Sequence, residues 1–321
     1  MTVVLSRSAD HLYWMARQME RADNTARILE ASYRMSLLPL GQGLDEDSGS
    51  EWDAVLQITL DNADFHDRFS EVNADTVIRF MTLDPKNPSS IYSITHAARE
   101  NARAERIALT TEMWEALNST WLEISAMTPA RLASRGYQNF FDWIKERSHL
   151  FRGTADATML RDERYHFLRL GTSIERADNT ARILDVKYHI LLPDGADVGS
   201  AIDYMQWGAF LRALSAYRIY HHEYKEPIKP IHVADLMIFK DYFPRSLHNC
   251  LNDVLNLLAL IGGPRGEEAQ RKAGELHALL HYGTIKSVFA EGLHEFITDF
   301  IARNTAVGNE IQAAYLLPER G

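Results

Sequence analysis

Residues 5–38 contain neither glycine nor proline, and their apolar positions include Leu12, Met15, Met19, Ala22, Ala26, Leu29 and Tyr33. Steps of three and four put these on one stripe of an α-helix. The cluster "PLGQGLDEDSGS" predicts an exposed loop, followed by helices from about Trp52 and over about 76–81. "NPSSI" predicts the next start, with Asn87 as N-cap and Pro88 in the first helical position. No breaker follows until about Ser125.

The plan then recurs. A helix from about Tyr137 ends near "FRGT", and a long one covers about 158–192. The loop "PDGADVGS", a helix from near Tyr204, the loop "HHEYKEPIKP" and a short helix follow. Pro244 opens another helix, and beyond "GGPRGEE" lies a helical hairpin, 266–282 and 284–315. Strand-like alternation is essentially absent, so the predicted fold class is all-α, a helical bundle.

Inside both long helices stands the same string, "ERADNTARIL", at 20–29 and again at 175–184, with four charged residues in ten. A core accepts any apolar residues of suitable volume and period, so it does not demand identity. A recent duplication would have kept the flanks as well. Those have drifted to scattered matches: Leu5 with Leu160, His11 with His166, Tyr33 with Tyr188, Trp52 with Trp207, and Pro88 with Pro244 one residue out of step. The chain reads as two diverged units, 1–155 and 156–321, sharing one core and related by an approximate two-fold. The frozen string points to a constraint on charge and hydrogen bonding.

At about 100° per residue, Met19, Ala22, Ala26 and Leu29 face the core. Glu20, Asp23, Asn24 and Arg27 cluster on the flank of that stripe, while Arg21, Thr25 and Ile28 fall behind. Asp23 precedes Arg27 by one turn, the favourable order for an ion pair. Glu175, Asp178, Asn179 and Arg182 repeat the ledge in the second unit, with Arg176 behind it as Arg21 is in the first. "HAARENARAERIALTTEMWEALN" supplies a guanidinium row, Arg99, Arg103 and Arg106, with Glu100 and Asn101 alongside. Carboxylate ledges and an arginine row suit an interlocked network, because a guanidinium pairs carboxylates bidentately and stays charged when desolvated. Two readings follow: a polar clasp that fixes helix register, or a pocket for an anion or carboxylate.

Composition narrows the classes. A formal net charge of −10 argues against nucleic acid or an anionic membrane surface as the partner of the overall field. One cysteine, Cys250, excludes an intrachain disulfide and fits a reducing, cytoplasmic setting. The opening "MTVVLSRSAD" lacks a secretory pattern, and no apolar run is long enough for a membrane span. No glycine-rich phosphate loop, GxGxxG or GxSxG occurs. Glu163/His166 and Glu291/His294 have the Glu-x-x-His step of di-metal bundles. With 13 histidines in an acidic chain such pairs arise by chance. His277 and His281 lack the HExxH glutamate, and "HHE" at 221–223 is placed in a loop. No metal or other cofactor is assigned from sequence.

"LSRSADHLYWMARQMERADNTARIL", "NPSSI", "ARENAR", "WEALN", "FRGTADATMLRDERYHFLRLGTSIERADNTARIL" and "PRSL" together resemble the bacterial alpha-E domain, a predicted all-helical family with a Glu-Arg motif. Its motif falls on Glu20/Arg21 and Glu175/Arg176. The resemblance implies neighbours: members tend to be encoded beside, or fused to, ATP-grasp proteins of the amide-ligase type and transglutaminase-like thiol peptidases. It implies a helical partner of an ATP-grasp ligase, or a protein presenting its substrate, in a peptide-forming or peptide-modifying system. An enzyme that itself acts on an amino-acid or peptide carboxylate is the alternative. The sequence leaves open whether the units pair within one chain or across a homodimer.

Overall fold

A computed structural model describes residues 6–37, 50–59, 62–190 and 201–317. The first five residues, 39–49 of the first expected loop and all of 193–200 lie outside the described residues. Among the described residues the chain is helical, with no strand, and no helix is long and apolar enough to cross a membrane.

Two long helices, Ser6–Ser36 and Glu163–Ile190, pack along one another at the centre. Ile91–Ala104 and Tyr137–Thr158 flank the first of them, and Leu247–Ile261 and Leu293–Ile311 flank the second. The main apolar cluster draws on both halves of the chain, with Trp52, Phe80 and Phe141 beside Trp207, Leu236 and Phe300. A smaller cluster around Leu12, Met15, Met113 and Phe151 fills the space between the first helix and its neighbours.

The central crossing depends on a missing side chain. A Cβ added at Gly171 would come within 2.3 Å of the Tyr13 carbonyl oxygen, too close for any residue but glycine. The backbones therefore touch here, which brings the polar strings a turn or two away within side-chain reach.

Several boundaries differ from the sequence reading. Ser90, not Asn87, is the N-cap at "NPSSI", its hydroxyl accepting from the Ser93 N–H at 3.1 Å. Asn87 is instead buried, accepting from the Ser89 N–H and donating to the Phe80 carbonyl. The expected helix up to Ser125 is two, Ile91–Ala104 and Thr111–Ser125, because the Thr110 hydroxyl caps a fresh start at Met113 N–H. Likewise "HHEY" closes a short helix, Tyr217–Tyr224, and Gly292, at φ +108°, divides the last helix of the expected hairpin.

Candidate functional site: a reciprocal Glu–Arg lock and an open cleft

The decapeptide of the first helix is buried almost throughout, charged residues included: Glu20 is 1% exposed and Arg27 2%. A helix surrounded on all sides has no back face for its polar residues. Arg21, which the periodicity placed behind the ledge, reaches across to the second long helix instead.

There the two strings exchange partners. Glu20 accepts from both Nε and Nη2 of Arg176 at 2.9 Å. Glu175 accepts from Nε and Nη2 of Arg21 at 2.5 and 3.0 Å, and from Arg17 Nε at 2.8 Å. The glutamate of each motif thus takes the arginine of the other, twice, in the bidentate geometry that suits a planar guanidinium. Burial pushes the Glu175 carboxyl up, but Arg21 and Arg17 outweigh it and hold it at about 2. Glu20 is also opposed by burial and carried well below its usual range by Arg176, Arg152 and Arg245.

Around the first string the network is sealed from solvent, with Asp23 Oδ1 and Asn24 Nδ2 buried and left without a hydrogen-bond partner among the described residues. Asp23 takes Arg27 Nε at 3.1 Å, one turn on, and Arg245 Nη2 at 2.5 Å. Arg245 also donates to Asn24 Oδ1 at 3.0 Å and Glu20 Oε1 at 3.3 Å, and Arg152 to Glu20 at 2.6 Å. Arg27 donates onward to the Ala213 carbonyl at 2.6 Å and the Ser215 hydroxyl at 3.0 Å. Ser215 holds φ +59°, so Arg27 also secures a turn that a non-glycine residue adopts reluctantly. Asp23, raised by burial and lowered by Arg27 and Arg245, settles at about 2.

Around the second string the arrangement is open. Asp178 pairs with Arg182 at 2.7 Å, and Asn179 turns back to the Glu175 carbonyl at 2.8 Å. Among the described residues no guanidinium bridges Glu175, Asp178 and Asn179 there as Arg245 bridges Glu20, Asp23 and Asn24. A cleft of about 600 Å³, part of it open to solvent, borders Arg21, Thr25, Ser89, Glu175, Asp178 and Arg182. A second depression of about 430 Å³ meets it at Asp178, walled by Tyr13, Trp14, Arg17 and Asn304.

One position marks the difference. Ser90 and Ser246 cap their helices identically: each hydroxyl accepts from the N–H three residues on and donates to the carbonyl six residues back. The residue before each cap is Ser89 in one case and Arg245 in the other. Arg245 fills the first ledge, whereas Ser89 lines the cleft at the second.

The arginine row of the sequence reading joins neither ledge. Ile91–Ala104 ends before Arg106, so the three guanidinium groups do not share one helix. Arg99 donates to Glu100 and Asn118, Arg103 pairs with Glu100 and is 67% exposed at its side chain, and Arg106 lies over the Trp114 ring. Asn101 gives its carbonyl to the Glu105 N–H at the helix end. The guanidinium groups that complete the network are Arg17, Arg152 and Arg245. Only Arg245 had a sequence signal: setting Pro244 against Pro88 sets Arg245 against Ser89.

The Glu-x-x-His pairs gather no further ligands among the described residues, and His294 turns to Asp185 at 2.7 Å. Cys250 is buried and its thiol is pushed up to about 12 by that burial, which leaves it inert as a nucleophile.

The sequence profile of the Alpha-E family, described as a predicted α-helical domain with a conserved ER motif, matches residues 4–316. Uncharacterised proteins of Mycobacterium bovis and Mycobacterium tuberculosis are each 24% identical over 316 residues. The match covers 91% of this chain and 34% of each of theirs, so the chain spans about a third of the length of the curated relatives it matches. No solved structure matches.

Proposed function

The chain belongs to the Alpha-E family, and from that premise we propose that it is a helical partner protein of an ATP-grasp amide ligase. It presents an amino acid or peptide to that ligase in a peptide-forming or peptide-modifying system of the cytosol, where a transglutaminase-like protein is a further partner. The reading extends to its origin: two diverged repeats, related by an approximate two-fold, of which one site has been sealed and the other kept for a ligand.

One observation carries the assignment of the ligand. Where the first ledge receives the Arg245 guanidinium, the second has Ser89 and a cleft. The chain thus supplies its own template for what the cleft holds: a planar cation donating to Glu175, Asp178 and Asn179. A peptide bearing an arginine offers that group. Its carboxylate then meets Arg21 or Arg182 at the same cleft. The partner role is supported by the lack of any nucleotide-cradling motif and by an inert thiol. It is supported too by relatives in which the matched region is only a third of a longer chain.

The test is a calorimetric titration with an arginine-containing dipeptide and with its citrulline counterpart, which has the same shape and no charge. The arginine peptide should bind at least about tenfold more tightly, since a charge-assisted hydrogen bond contributes about 1.5–3 kcal/mol. Ser89→Arg, which places the chain's own guanidinium in the cleft, should abolish binding while leaving the fold intact. Equal affinity for both peptides removes the ligand assignment. Turnover of a peptide by the chain alone replaces the partner reading with an enzyme.

A further inference from the structure

Three imidazoles converge where Leu247–Ile261 begins and Glu267–Tyr282 ends. His248, His277 and His281 each offer a ring nitrogen, all within 4.8 Å of one another. They are buried, half-buried and exposed in turn, so the cluster leads from the core to the surface.

The surroundings orient the rings. His248 Nδ1 stands 3.0 Å from the Phe239 carbonyl oxygen, which only accepts. Nδ1 therefore carries the proton and Nε2 keeps its lone pair. That Nε2 is buried with no hydrogen-bond partner among the described residues. His277 Nε2 lies 2.6 Å from Asn252 Oδ1, an acceptor again, which leaves the lone pair on Nδ1 of that ring. One ring nitrogen tied to a carbonyl oxygen and the other left bare is the arrangement by which outer partners prepare metal-binding histidines.

We propose that His248, His277 and His281 bind a divalent transition metal, Zn²⁺ foremost, with a fourth coordination position open to water. Three neutral imidazoles without a carboxylate suit zinc and its neighbours rather than magnesium or calcium. Three protein ligands plus an exchangeable one is the coordination of zinc sites that keep an open position. With Zn–N bonds of about 2.0–2.1 Å, tetrahedral ligand nitrogens lie about 3.3 Å apart. The exposed His281 can supply the contraction from 4.8 Å by a rotamer change. The site ties the helix that begins just after Arg245 to the helix carrying His277 and His281. It is independent of the cleft and of any ligase.

The full chain, stripped with a chelator, is titrated with Zn²⁺ by calorimetry and with Co²⁺ by visible spectroscopy. One metal per chain should bind, with the intense bands of tetrahedral cobalt. His281→Ala, at an exposed position where the fold tolerates the loss, should weaken Zn²⁺ binding at least about 100-fold, beyond the effect of losing an outer-shell partner. His277→Ala should do the same, and His294→Ala, paired with Asp185, should change nothing. Absence of saturable binding in the parent, or affinity that survives His281→Ala, overturns the proposal.

Discussion

Arg27 and Arg182 occupy the same place in identical strings, yet their surroundings predict different penalties. Arg27 is 2% exposed and bound to Asp23, Ala213 and Ser215. Its removal leaves a buried carboxylate short of a partner, so Arg27→Ala should cost about 3–5 kcal/mol in chemical denaturation. Arg182 borders the open cleft, where water replaces it, and Arg182→Ala should cost about 1 kcal/mol or less. Equal penalties would refute the contrast between a sealed and an open copy. Acid should act through the same carboxylates. A group held at about 2 when folded, against about 4.5 when free, stabilises the fold fully above pH 4.5 and loses that contribution as pH falls towards 2. For Glu175 the contribution is on the order of 3 kcal/mol. A plot of melting temperature against pH should fall through this window in the parent and be flatter in Glu175→Gln.

Among the elements, the crossing of Ser6–Ser36 and Glu163–Ile190 makes the sharpest demand. Gly171→Ala should cost about 1–3 kcal/mol, the usual penalty of forcing a methyl group into filled space. Gly274→Ala, on a helix where an added Cβ meets nothing within 4 Å, should be neutral or stabilise by up to about 1 kcal/mol. The reverse order would mean that the backbones do not touch at Tyr13. The long helices were legible in sequence because their apolar period is sustained and free of breakers. Short-range competition between caps was not: Thr110 and Ser90 win their starts through hydroxyl geometry that spacing alone does not rank. The Asp–Arg spacing within each string was legible for the same local reason. The exchange of glutamates and arginines between strings was not, because it depends on how two buried helices cross. His248 is hidden in the same way, standing 29 residues before His277 and meeting it only through the packing of two helices.

For the whole molecule, a net charge of −10 sets how a partner meets it. If a basic face of the proposed ligase docks on it, the affinity should fall steadily as salt rises from about 0.05 to about 0.5 M, because the screening length shrinks through that range. An affinity indifferent to salt would point to an apolar interface. The exchanged Glu–Arg pairs carry one more consequence. Each half of the chain holds both the key and the keyhole, and neither can use its own. A nick at the exposed Leu160, in the turn between Tyr137–Thr158 and Glu163–Ile190, would leave two fragments with matching unfilled charges. Mixed together they should reassemble, and Glu175→Gln in the second fragment, which forfeits the charge met by Arg17 and Arg21 of the first, should weaken that reassembly.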